Sequence, residues 1–171
     1  MGQRDFERSV RGELAVLYRV ARRLGADTDT AEDVVQSALI KAFQAWDRFD
    51  GRYIRSWLIT ILRNEWYMSR RSARHEASLD DHDAPEIPDK PFWDTLNWKL
   101  DADKVLMELG GLPDIYQMAI QLCDVEQMTY EEAAEAMEVP VGTVRSRLFR
   151  ARVMLRSRLV GTIAGTEDQN R

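Results

Sequence analysis

Apolar residues recur at steps of three and four along most of this chain, the spacing of one helix face. From Phe6 to Arg23 they fall at Phe6, Val10, Leu14, Leu17 and Ala21, and Gly25 closes the run. The pattern restarts from Thr30 to Trp46, where Ala31, Val34, Val35, Ala38, Leu39, Ala42, Phe43 and Trp46 point inward. Thr30-Ala-Glu-Asp offers an N-cap with acids in the first turn. Asp50-Gly51 breaks the chain, and Arg55–Arg74 forms a third long helix with Trp57, Leu58, Ile61 and Leu62 as its stripe. In the second half, Trp93–Leu109 is helical up to Gly110-Gly111, and Pro113–Cys123 follows. Thr129-Tyr-Glu-Glu132 is a capping box, in which the hydroxyl and the carboxylate each satisfy the other's backbone amide. Its helix runs to Met137, a short Glu138-Val139-Pro140 turn follows, and a last helix spans Val141–Leu159. Two helices joined by so short a turn fit a helix-turn-helix. Alternating β-branched runs are missing, so the fold class is all-α.

Between the halves the pattern fails. His75–Pro91 reads HEASLDDHDAPEIPDKP, with Pro85, Pro88 and Pro91 and few apolar side chains. Proline removes helix donors and pushes its predecessor out of the helical region. The chain therefore divides into a helical domain at 1–74, an acidic, proline-containing linker at 75–92 and a second helical domain at 93–171. A tail from Gly161 is polar and frays.

Composition narrows the function classes. The 171 residues carry a net charge of −5, which excludes a uniformly basic coat for nucleic acid. The charge is unevenly placed: residues 1–74 are net +4 and 139–171 net +5, while 75–104 are net −6 and 105–138 net −8. Two basic blocks separated by acidic sequence suggest two nucleic-acid-facing surfaces. The one cysteine, Cys123, excludes an intrachain disulfide framework and a cysteine-based zinc site, and fits a reduced cytoplasmic setting. No apolar run reaches the roughly 18–20 residues a membrane helix needs, so no membrane insertion is expected.

The last helix carries the sharpest chemistry. On a wheel of about 100° per residue, Val144, Leu148, Ala151 and Leu155 lie along one line and form the core stripe. Arg145, Ser146, Phe149 and Arg150 fall on the far side, with Thr143 at the start and Arg147 on a flank. Positions 145–158 hold six arginines and no acid. Guanidinium forks suit guanine edges and phosphates, a hydroxyl suits either base edge, and an aromatic ring suits thymine methyls. Dipole complementarity accounts for Arg156 and Arg158 near the helix end, but not for Arg145 in its first turn.

The other basic block interleaves arginines with rings. Arg52, Arg55, Arg63, Arg70, Arg71 and Arg74 face a single acid, Glu65, among Tyr53, Trp57, Trp66 and Tyr67. Arginines track a backbone while rings stack on unpaired bases. Trp57 belongs to the apolar stripe; Trp66 and Tyr67, as neighbours about 100° apart, are hard to bury together. A surface for separated single strand is the expectation.

These residues together resemble an extracytoplasmic-function sigma factor, the minimal two-domain class of bacterial sigma factors. Pro140-Val-Gly-Thr-Val-Arg-Ser-Arg-Leu-Phe-Arg-Ala-Arg152 is similar to the family's promoter-reading helix nearly throughout. Gly111-Leu-Pro113 and Tyr130-Glu-Glu-Ala-Ala134 resemble the elements before it. Ala31-Glu-Asp-Val-Val-Gln36 with Ala42-Phe-Gln-Ala-Trp-Asp-Arg-Phe49 resembles the polymerase-clamp helix. Arg55-Ser-Trp-Leu58 and Ile61-Leu-Arg-Asn64 resemble the helix facing the −10 element. Glu138 stands in the turn where the family often has glycine.

The resemblance implies that residues 1–74 are sigma region 2 and 93–171 sigma region 4. Asp33, Gln36 and Trp46 would meet the β′ clamp of core RNA polymerase. Arg52, Tyr53, Arg63, Asn64, Tyr67, Arg70 and Arg71 would serve the −10 element. Thr143, Arg145, Ser146, Arg147, Phe149 and Arg150 would read the −35 element beside the β flap. It also implies an anti-sigma partner, a stress or envelope response, and promoter choice rather than catalysis, with no cofactor and no metal. An autonomous helix-turn-helix regulator would need a dimer surface and palindromic sites, and no clear dimerisation segment is present. An enzyme on nucleic acid would need a reactive constellation, yet His75 and His82 both lie in the linker.

Overall fold

The structure is a computed structural model, and it describes residues 3–69 and 102–167. Helices α1 (Gln3–Arg11), α2 (Leu14–Arg23), α3 (Thr28–Gln44) and α4 (Ile54–Ser69) build the N-terminal unit. Helices α5 (Ala102–Gly110), α6 (Asp114–Ile120), α7 (Tyr130–Met137) and α8 (Val141–Glu167) build the C-terminal one. Among the described residues there is no strand. The part of the expected third helix beyond Ser69, the linker, and positions 93–101 of the expected fourth lie outside the described residues, as do Arg70, Arg71, His75 and His82.

Three helices, α2, α3 and α4, pack on one another and bury Leu17, Val20, Ala31, Ala38, Leu58 and Leu62. The expected continuous helix from Phe6 to Arg23 is in fact two, broken at Gly12-Glu13, and Leu14 is exposed despite its place in the stripe. Helix α2 ends in the manner expected: Gly25 takes φ 97°, and the amides of Gly25 and Ala26 return to the carbonyls of Arg22 and Ala21. Such a left-handed turn recaptures carbonyls orphaned at a helix end and suits a residue with no Cβ. The cap of α3 is Asp27 rather than Thr30; its carboxylate accepts from the Thr30 amide at 2.8 Å.

A ring cluster closes the far end of this unit. Phe6 meets Phe43 and Trp46 edge-on at 5.3 and 5.2 Å between centroids. Trp46 stacks on Phe49 at 5.3 Å, and Phe49 lies 4.7 Å from Trp57. Such pairs add about 0.5–1.5 kcal/mol each beyond their buried area.

In the C-terminal unit α5, α6 and α7 all pack against α8. Val144, Leu148, Ala151 and Leu155 are buried as the wheel requires. The Gln117 amide, itself buried, donates to the carbonyls of Gly110 and Leu112 and ties α6 to the preceding turn. After α6 the chain widens through a π-type turn, Gln121–Val125, which brings the Glu126 carboxylate inward. Thr129 and Glu132 form the expected capping box at the start of α7. Glu138 ends that helix in left-handed backbone, φ 56° and ψ 44°.

The two units touch. Helix α4 packs along α7, and α2 reaches α6.

Candidate nucleic-acid and polymerase interfaces

Helix α8 presents its arginines because the opposite stripe is spent on α5, α6 and α7. Arg145 is exposed, with its guanidinium 5.5 Å from the Tyr130 ring centre, a distance that stacks the cation on the ring and holds it at the surface. Thr143, Arg147, Phe149 and Arg150 are half-buried. Ser146, expected on the outward face, is instead buried, and its hydroxyl donates to the Thr143 carbonyl at 3.2 Å. A wheel gives direction and not depth. The short side chain stays close to the helix barrel, and its one donor is used by its own backbone.

Other arginines of this helix are structural. Arg152 grips Asp124 with two bonds, Nε at 3.1 Å and Nη2 at 2.5 Å, and the Asp124 side chain is only 5% exposed. Arg158 lies 3.8 Å from Glu108 and over Gly111, where a Cβ would come within 2.1 Å of its guanidinium. A side chain at 111 would push the flexible end of Arg158 aside.

On the N-terminal unit, Arg52 is exposed and bends back onto Asp50, donating from its amide at 2.9 Å and from Nε at 3.1 Å. Those bonds hold the Asp50 carboxylate below its ordinary range. Tyr53 beside it is exposed in left-handed backbone, φ 48°. Asn64 is exposed and Tyr67 half-buried. Arg63 is different: its side chain is 14% exposed, lies 5.7 Å from the Tyr67 ring centre, and donates to the Ala136 carbonyl of α7 at 2.7 Å. Trp66 and Tyr67 are not buried together: Trp66 is buried under Gly25 while Tyr67 stays half-buried. The rings separate by role: Trp66 faces the core, and Tyr67 shares its side of α4 with Arg63.

Asp33 and Gln36 are exposed on the outer face of α3. Trp46, expected to meet a partner with them, is 4% exposed at the heart of the ring cluster, so it braces the end of α3 instead of touching anything outside. Its apolar bulk is better satisfied by the three rings of Phe6, Phe49 and Trp57 than by water. Two residues outside the candidate set share the face of Asp33 and Gln36: Ile40 is 53% exposed, and Phe43, expected inward, is 47% exposed. Their signal was present, since 33, 36, 40 and 43 follow helical spacing, but Phe43 also fits the inward stripe.

Among the described residues, no helix is long and apolar enough to cross a membrane.

Comparison with known proteins agrees with this architecture. The model of Sigma-70 region 2 matches residues 10–76, and that of Sigma-70 region 4 matches residues 102–155. The RNA polymerase sigma-E factor of Streptomyces coelicolor is 31% identical over 91% of this chain and 86% of its own length. The ECF RNA polymerase sigma-E factor of Escherichia coli is 38% identical over 70% of this chain and 69% of its own. The ECF sigma factor SigE of Mycolicibacterium smegmatis is 32% identical over 91% of the chain, which spans 62% of that longer relative. Among solved structures, the sigma factor RpoE of Bartonella quintana, in complex with the anti-sigma factor NepR, superposes with a TM-score of 0.68 at 31% identity, covering 91% of this chain and 96% of that one. CnrH, in complex with the cytosolic domain of CnrY, gives 0.69 at 27% identity, covering 94% and 90%. The chain belongs to the extracytoplasmic-function family of RNA polymerase sigma factors, proteins that direct promoter recognition and transcription initiation.

Proposed function

We propose that this chain acts wholly by binding, and that its two units divide the promoter between them. Residues 1–74 serve the −10 element and the β′ clamp of core polymerase, 75–92 connect, and 93–171 serve the −35 element and the β flap. Polymerase supplies the chemistry.

The observation that carries this reading is the α8 face. Its core stripe is fully buried, while Arg145 is exposed on Tyr130 and Phe149 and Arg150 border it. A guanidinium held on a ring at the start of a groove-entering helix is placed for base edges or phosphates. Thr143 and Arg147 flank that face, and Ser146 acts through the helix backbone. On the other unit Arg52, Tyr53, Asn64 and Tyr67, with Arg63, supply cations and stacking rings for an unpaired strand; Arg70 and Arg71 follow in sequence and add two cations. Asp33 and Gln36, joined by Ile40 and Phe43, make a mixed face suited to a partner helix. An anti-sigma factor is a further partner, supported by the two structural neighbours solved with NepR and CnrY.

Run-off transcription with core polymerase from the same bacterium, over a library of genomic promoters, tests the assignment. Arg145→Ala or Arg150→Ala is expected to weaken −35 recognition by roughly 1–3 kcal/mol. Unchanged promoter selectivity in the variants overturns it. Asp33→Ala is expected to lower affinity for core polymerase with the fold intact, and equal affinity in a titration removes Asp33 from the clamp face.

A further inference from the structure

The two units are held together by charged groups far apart in sequence. Arg19 on α2 donates from Nε to Glu126 Oε1 at 2.8 Å and from Nη2 to Oε2 at 2.6 Å, across 107 residues. The Glu126 side chain is 3% exposed and takes a third bond from Gln121 Nε2 at 2.9 Å. The forked contact raises the pKa of Arg19 above its ordinary value. Arg55 on α4 braces the same point. Its Nη1 donates to the Glu126 carbonyl at 3.1 Å, and its Nε donates to Glu13 at 2.6 Å.

Further along α4, Arg63 donates to the Ala136 carbonyl at 2.7 Å, and the Thr60 hydroxyl, which donates to the Ser56 carbonyl of its own helix at 3.0 Å, lies 3.4 Å from the Glu135 carbonyl. Carbonyls in the last turn of a helix lack intrahelical donors, so the end of α7 is a natural acceptor for a cation. Arg63 thereby spends its guanidinium inside the molecule. It cannot meet a promoter strand while α7 lies on α4.

We propose that this chain is self-masking: Arg19 and Glu126, braced by Arg55, form an electrostatic clasp that keeps Arg63 docked on α7 until the two units are drawn apart. The proposal rests on the assignment of Arg63 to the −10 surface. The clasp is suited to release because its parts are stable in water once separated. Arg19 keeps 49% of its side chain exposed, so water already reaches the guanidinium and can take it over as the units part. The Arg63 bond ends on a carbonyl that water can satisfy. No partner chain is needed for closure, since every donor and acceptor belongs to this chain.

The test uses the full chain without polymerase first. Small-angle scattering at low salt is expected to give a compact particle for the wild type. Arg19→Glu sets two carboxylates face to face and is expected to raise the radius of gyration by several ångström, with helical circular dichroism unchanged. The paired swap Arg19→Glu with Glu126→Arg is expected to restore compactness. A radius unmoved by Arg19→Glu overturns the clasp. Should Arg19→Glu lose helix content, Arg19→Gln decides, since it removes the charge without adding repulsion: an expanded particle supports the clasp, and an unmoved radius overturns it.

Masking is read separately, from binding of a fluorescent single-stranded DNA of mixed sequence. Arg19→Glu is expected to bind it about 5- to 10-fold more tightly, and adding Arg63→Ala is expected to abolish that gain. Expansion without tighter binding overturns the masking, and the fault then lies in the −10 assignment of Arg63, because the clasp itself has been seen to open.

Discussion

Glu138 occupies a backbone conformation that side chains resist. Its φ of 56° is left-handed, where a Cβ crowds the following carbonyl oxygen and costs roughly 1–2 kcal/mol. Its carboxylate is 58% exposed and 3.9 Å from Arg63, a separation that returns little in water. Glu138→Gly is therefore expected to stabilise the chain by about 1 kcal/mol, read as a higher urea midpoint with unchanged slope. A lower midpoint would show that the carboxylate matters more than the backbone. Cys123 offers a second test at this scale. Burial, more than the neighbouring Asp124 charge, pushes its thiol up to about 12. The thiolate is the reactive form, so the folded chain is expected to resist alkylation at pH 8 and to release one reactive thiol in urea. The sign for stability follows. The folded state holds a proton that the unfolded state loses, so this contribution is whole below the ordinary thiol value of about 8.5. It declines as pH rises from there toward about 12. Alkylation as fast in the folded as in the unfolded chain would mean that the site opens readily.

At the scale of elements, what could be read from sequence was what local chemistry decides. The start of α7 was legible because its cap is made within four residues: the Thr129 hydroxyl accepts from the Glu132 amide, and the Glu132 carboxylate accepts from the Thr129 amide at 2.8 Å. Thr129→Ala is expected to cost about 1 kcal/mol by chemical denaturation, and a loss under a few tenths would argue that packing alone sets this helix. The core stripe of α8 was legible for a similar reason, since 3.6-residue periodicity is a property of the element itself. Periodicity also misled. It ran through Gly12-Glu13 and joined α1 to α2, because apolar spacing is indifferent to a break that keeps the faces aligned. It sent Ser146 outward, because a helix face does not reveal what the rest of the chain lays over it, whereas Trp46 lies inward as its spacing requires and only the family resemblance had set it against a partner. Arg152 shows the same limit in reverse, as one of six similar arginines whose structural partner, Asp124, lies 28 residues upstream. Removing it strands a nearly buried carboxylate, so Arg152→Ala is expected to cost about 3 kcal/mol. A neutral result by calorimetry would return Arg152 to the surface set.

For the whole molecule, division into two helical units was readable from the proline-rich acidic stretch, but their association was not. Arg19 and Glu126 are ordinary members of a basic helix and an acidic block until the fold brings them together. Nothing in their spacing announces a bond across 107 residues. The association also has an apolar part: α4 lies along α7, and the buried side chains of the two units form one cluster. A contact built from both kinds of surface holds without a covalent tether, at the cost of losing the local concentration that the tether provides. A protease site engineered within residues 78–84 and cut in the folded chain tests this. At micromolar concentration and 50 mM NaCl the two fragments are expected to leave a sizing column together. With Arg19→Glu they are expected to separate, because apolar packing then works against a buried like-charge pair. Separation of the wild-type fragments at low salt would instead make the connecting segment, rather than the interface, the main bond between the two promoter readers.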